Sequence, residues 1–84
     1  MADVKVGKIS HYFGNIQVAV LEVEDEAVNV GDTIKIVGHD KEFEQKIESM
    51  QVEHDQVETA EKGMSVGLKV EEKVKEGDEV FKVV

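Results

Sequence analysis

Residues 28–37 read Val-Asn-Val-Gly-Asp-Thr-Ile-Lys-Ile-Val, and they decide the fold. Val28 and Val30 lead into a Gly31-Asp32 corner. Ile34 and Ile36 then share one face, with Thr33 and Lys35 on the other. A turn pair followed by alternation describes a tight turn feeding a half-buried strand. The phrase returns as Val74-Lys75-Glu76-Gly77-Asp78-Glu79-Val80. Two copies of a turn-then-strand unit in 84 residues predict a closed all-β domain.

Outward from this stretch the chain keeps the same grammar. Val4, Val6 and Ile9 begin a first strand that runs to about His11, and Gly14-Asn15 supplies a turn. Ile16, Val18 and Val20 alternate with Gln17 and Ala19, but Leu21 and Val23 take the opposite parity, which predicts a bulge or a sharp coil in the second strand, as closed barrels need. Residues 24–27 form an acidic turn. A strand starts near Phe43 with Ile47 on its face, and another carries Met50 and Val52. Residues 57–62 are expected to form a polar, short helical connection ending at Gly63. Met64, Val66, Leu68 and Val70 alternate cleanly, with Gly67 leaving room for close packing. Residues 80–84 form the last strand. Six or seven short strands with regular turn signals favour a sandwich or barrel. Residues 1–84 are expected to form one domain, with 1–3 frayed.

Composition narrows the function classes. A chain of this length buries about 60–65% of its unfolded surface, enough for one small core. There is no cysteine, which excludes disulfides and thiolate metal sites. The start lacks the apolar run of a signal peptide, and no stretch reaches membrane-span length, so a cytoplasmic protein with no membrane partner is expected. The formal charge is −9, and all ten basic residues are lysine. Without arginine forks, such a chain is a poor electrostatic match for nucleic acid.

Five short motifs in order resemble the second, β-barrel domain of translational GTPases such as elongation factor Tu. They are Val6-Gly7-Lys8-Ile9, Val30-Gly31-Asp32-Thr33-Ile34, Ile47 to His54, Gly63-Met64-Ser65-Val66-Gly67, and Gly77-Asp78-Glu79-Val80. The resemblance implies a closed six-stranded antiparallel Greek-key barrel acting as a stand-alone, translation-elongation-factor-like module. It implies no GTP binding, because the phosphate-cradling loop is absent. Gly7, Lys8, Gln51 and Ser65 occupy the positions with which that family holds the aminoacyl end of transfer RNA, and most of the polar groups used there are replaced. A similar barrel ends collagenase-like peptidases of a type linked to RNA modification, which implies an accessory module.

No catalytic constellation stands out. His39-Asp40 and His54-Asp55 are adjacent pairs, and strand neighbours point to opposite faces. Ser10, Ser49 and Ser65 lack a nucleophile elbow. The acidic set Glu22, Glu24, Asp25 and Glu26 lacks calcium-loop spacing. No catalytic residue, cofactor or metal is therefore expected. His11-Tyr12-Phe13 is the best contact candidate: one ring is expected to plug the barrel and the other to meet a partner. The expected contact set is Lys8, Ser10, His11, Tyr12, Phe13, Gln51, Glu53, His54 and Ser65. The expected function is a non-catalytic adaptor with a protein partner near translation or RNA modification. The alternatives are direct binding of RNA or the aminoacyl end of tRNA, through Lys5, Lys8 and Lys46, or an accessory barrel of collagenase-like peptidases.

Overall fold

The computed structural model describes residues 3–39, 41–53 and 55–83. Ten strands follow one another there: β1 (Val4–Phe13), β2 (Val18–Val23), β3 (Val28–Asn29), β4 (Thr33–Val37), β5 (Glu42–Lys46), β6 (Met50–Val52), β7 (Asp55–Val57), β8 (Thr59–Ala60), β9 (Ser65–Lys69) and β10 (Glu79–Lys82).

The two Gly-Asp corners are one turn used twice. Asn29 C=O accepts the Asp32 N–H at 3.0 Å, Gly31 has φ +99°, and Asp32 Oδ2 accepts the Asn29 N–H at 2.8 Å. Lys75, Gly77 and Asp78 repeat the arrangement at 3.1 Å, +92° and 2.9 Å. Positive φ at the third position is what a type II turn demands, and glycine meets it without a Cβ clash. The aspartate closes the turn by accepting back from its first residue.

Eight strands form one antiparallel sheet in the order β5-β4-β10-β1-β2-β9-β6-β7, and β3 pairs with β8 in a separate ribbon. The sheet curls as a half-barrel, which corrects the expected closed six-stranded Greek-key barrel. Its edge strands β5 and β7 share no ladder. The reason is local. Ile47, just past β5, donates to Asp32 O at 2.9 Å and accepts the Gly31 N–H at 2.8 Å. Val30 donates to Glu58 O at 2.8 Å. The first Gly-Asp corner thus occupies the gap where the edges would otherwise meet. The same pairing corrects the expected helical connection over 57–62, because residues 55–57 and 59–60 are extended.

Part of the remaining seam is spanned by a side chain. Gln45 on β5 is 6% exposed; its Nε2 donates to Lys69 O and its Oε1 accepts the Glu71 N–H, both at 2.8 Å. A buried amide is tolerated only when it is hydrogen-bonded, and both ends of this one are.

The buried core is mostly valine and isoleucine from both sides of the curl, including Val6, Ile9, Ile34, Ile36, Val66 and Val80. These β-branched chains suit a pleated surface. The bulges fall in β1, at Lys5/Gly7 and at Ile9/His11, and not in β2 as expected. In β2, Ala19, Leu21 and Val23 all point inward, while Val18 and Val20 are half-buried on the outside. Asp3 is tied down by Lys35, whose ammonium it meets at 2.7 Å, with Glu42 at 3.6 Å. The hydrogen bond to Asp3 holds the Lys35 pKa above its ordinary value of 10.5, against the opposing effect of desolvation.

Gly7 marks the tightest approach between strands. A Cβ there would overlap the Glu22 carbonyl oxygen and lie 3.1 Å from the Glu24 nitrogen. Next to it, Val6 O accepts both the Glu24 and the Asp25 N–H at 2.8 Å. Gly7→Ala is therefore expected to cost about 1–3 kcal/mol by forcing backbone apart. At Gly14 a Cβ would meet only Tyr12 Cε2, at 3.5 Å. Gly14→Ala should stay within about 0.5 kcal/mol. Urea unfolding of both variants checks this, and equal costs would contradict the close approach.

Candidate functional site

The register places much of the expected contact set on one surface. Directly opposed residues of antiparallel neighbours project from the same side. One row across the sheet is His11–Val20–Gly67–Gln51–Gln56. A second is Phe13–Val18–Lys69, and a third is Lys8–Glu22–Ser65. Together they form the outward face of β1, β2, β9 and β6.

Val18 and Val20 floor this face, half-buried. Gly67 adds no side chain, and a Cβ there would lie 3.4 Å from Val18 Cγ1 and 3.9 Å from Gln51 O. The result is an apolar strip with His11 and Phe13 along one side and Gln51 along the other. Lys8 reaches Glu24 at 3.9 Å. Ser10 is the extra residue of the bulge, with its Oγ donating to Val20 O at the long distance of 3.5 Å.

The adjacent rings separate. Tyr12 opposes Ala19 and packs against the core, while Phe13 is 51% exposed. His11 stacks on Phe13 with ring centroids 6.3 Å apart and planes 28° apart, and its Nδ1 lies 3.5 Å from Glu76 Oε2. Beyond Phe13, residues 14–17 turn the chain, with the Ile16 N–H donating to Phe13 O at 3.3 Å. Ile16 is 62% exposed at this tip. Gln17 has φ +54°, and its carbonyl accepts the Val70 N–H at 2.9 Å, which fastens the hairpin tip to the end of β9.

Besides Tyr12, one described member of the expected set lies elsewhere. Glu53 sits in the β6–β7 turn at φ +50°. His54 lies outside the described residues. Val18, Val20 and Ile16 carry no local sign of being surface residues, because apolar side chains on a strand are read as core. Gly67 was a usable signal, since a glycine in an alternating strand leaves one face bare.

Concavities lie elsewhere, including one of about 400 Å³ at residues 76–79, one of about 200 Å³ beside Lys35 and Phe81, and two more. One, about 150 Å³, is lined by Gly38, His39, Lys41, Lys73, Lys75 and Asp78. Two of its charges are engaged: Lys41 reaches Glu72 at 3.7 Å and donates to Lys73 O at 3.2 Å, while Asp78 caps its own turn. The other, about 450 Å³, runs between Val30 and the β6–β7 hairpin, with Glu48 and Glu58 among its lining residues. Among the described residues, no three His, Cys, Asp or Glu side chains converge as metal ligands. No helix of the described residues is long and apolar enough to cross a membrane.

No protein-family model matches the chain. It is 35% identical over 79 residues to an uncharacterized protease of Methanocaldococcus jannaschii, covering 93% of this chain and 19% of that protein. It is 36% identical over 78 residues to a collagenase of Porphyromonas gingivalis, covering 92% of this chain and 22% of the collagenase. The chain thus spans about a fifth of the length of the curated relatives it matches. Its fold matches the crystal structure of the C-terminal domain of a protein assigned as a U32 peptidase in Geobacillus thermoleovorans. The TM-score is 0.88 at 20% identity, covering 94% of this chain and 91% of that one. The selenomethionine form of that domain matches at a TM-score of 0.85 and 18% identity, covering 98% and 100%.

These similarities overturn the resemblance to translation factors. The sequence relatives are a protease and a collagenase, and the matching fold is a peptidase's C-terminal domain. The motifs behind that resemblance were chiefly glycine corners and alternating valines. Any small antiparallel domain needs them, so they report turn chemistry and not kinship.

The division between the rings has a thermodynamic consequence. Tyr12→Ala removes core contact and is expected to cost about 2 kcal/mol or more. Phe13→Ser removes an exposed ring and should cost less than about 1 kcal/mol. Chemical denaturation of the two variants checks the assignment, and a reversed order would contradict it.

Proposed function

We propose that this chain is an accessory β-domain of the collagenase-like, U32 type of peptidase, and that it acts by binding and not by catalysis. The carrying observation is the shape of the matches. Over nine-tenths of this chain aligns with only about a fifth of a protease or a collagenase. The same extent of chain superposes on a C-terminal domain excised from a peptidase.

The chemistry of the surface agrees. The outward face of β1, β2, β9 and β6 is an open strip of valine, glycine and amide bordered by His11 and Phe13, suited to contact and not to enclosing a reacting bond. Its members are held on a rigid sheet, so they need little ordering when a surface meets them. In this role the domain positions the peptidase body or its polypeptide substrate, while the reacting groups reside in the body.

Exchange of this chain for the matching segment of the Porphyromonas gingivalis collagenase tests the proposal. Deleting the segment is expected to lower kcat/KM on gelatin by roughly tenfold, equivalent to about 1.4 kcal/mol of transition-state stabilisation. The chimera carrying all 84 residues should recover most of that loss, and the 84-residue chain alone should cleave nothing. Gelatin cleavage by the chain alone, or a chimera no better than the deletion, would overturn it.

A further inference from the structure

We infer that the β1–β2 hairpin tip, with Phe13 and Ile16 as anchors, is the docking surface for the body of the peptidase to which such a domain belongs. This inference rests on the accessory-domain proposal and adds to it the face and the residues.

Three large hydrophobic side chains are strongly exposed among the described residues: Phe13 at 51%, Ile16 at 62% and Val30 at 39%. Two of the three, Phe13 and Ile16, sit on one hairpin, three positions apart at its turn. The chain has only four aromatic residues, one tyrosine and three phenylalanines. Phe13 is the one of the four that stands more than half exposed. Apolar exposure grouped in this way marks an interaction surface, whereas scattered single residues do not.

The tip is also built to hold its shape. His11 stacks on Phe13 and is itself met by Glu76. The Gln17 carbonyl is fastened by the Val70 N–H. An aromatic and an aliphatic on one hairpin, continued by the half-buried Val18 and Val20 and bordered by Lys69 and Gln51, have the anatomy of an interface anchor inside a polar rim. The recess beside Lys41 is lined mostly by charged side chains, and the groove at Val30 carries glutamates.

The occupant follows from the lengths. In the curated relatives the matching segment is about a fifth of the chain, so some four-fifths adjoins it. Contacts between domains of one chain resemble modest protein–protein interfaces, and one preorganised apolar patch is enough to seed such a contact. The adjoining body is therefore the occupant to which we commit. A second copy of this chain is the competing outcome.

Hydroxyl-radical footprinting of the collagenase chimera against the free 84-residue chain tests this at side-chain level. Oxidation of Phe13 and Ile16 is expected to fall several-fold in the chimera, with Val30 unchanged. Protection at Val30 or elsewhere with Phe13 and Ile16 still reactive would overturn the assignment of the face and leave the accessory proposal standing. No protection anywhere would count against both. Protection of Phe13 and Ile16 in the free chain that strengthens with its concentration would assign the tip to self-association instead and overturn the inference.

Discussion

The Gln45 amide is the constraint on which the rest of the structure leans. The backbone ladder ends at β5 on one side, and past Lys69 the backbone bonds to the hairpin tip and to this side chain. The amide spans the seam between them, giving Lys69 O a donor and Glu71 N–H an acceptor. Each such bond contributes only about 1 kcal/mol net. The alternative leaves two backbone groups without partners, at about 1–3 kcal/mol apiece. The seam holds because opening it is expensive, although closing it gains little.

The short run Lys69, Val70, Glu71 is a junction for three elements. Lys69 and Glu71 are tied to β5 through Gln45, and Val70 between them is tied to the β1–β2 turn through Gln17 O. The sheet curl and the hairpin tip are therefore fixed by neighbouring residues. This couples the fold to the face that meets a partner. The outward row from His11 to Gln56 stays in register because its strands are pinned at this end, and at the other end by the close approach of Gly7 to the Glu22 carbonyl. A surface held in this way gives up little conformational freedom when it is covered.

Much of this was legible in the residues. The repeated Gly-Asp corner gave the two matching turns, because positive φ and a back-accepting carboxylate are properties of those side chains. The alternation at Ile34/Ile36 and Val66/Leu68/Val70 gave the buried faces. What failed, failed for physical reasons. Val18 and Val20 suggested a bulge because outward valines look like core when the residues covering them are unknown. The extra residues of the two bulges in β1, Val6 and Ser10, have side chains that are ordinary in a strand and do not mark a bulge by themselves. Closure was mispredicted because Ile47 bonds to the Gly31-Asp32 corner and not to a neighbouring strand, a long-range choice that no local pattern encodes. Kinship was misassigned because turn chemistry is shared among unrelated β-domains. Of the contact set, His11, Phe13, Gln51 and Ser65 lie on one face because the register brings them there. Tyr12 turned inward because a strand sends neighbours to opposite sides.

Native-state hydrogen exchange at the Glu71 amide tests the seam most directly. This N–H lies beyond the last residue of β9 and has a side-chain acceptor. The account predicts slow exchange, comparable to the amides of Leu21 and Val66 in the core ladder, and rapid exchange in Gln45→Ala. Exchange at Glu71 near the rate of an unstructured peptide in the unsubstituted chain would contradict it, because the seam would then be open and the hairpin tip held by something else.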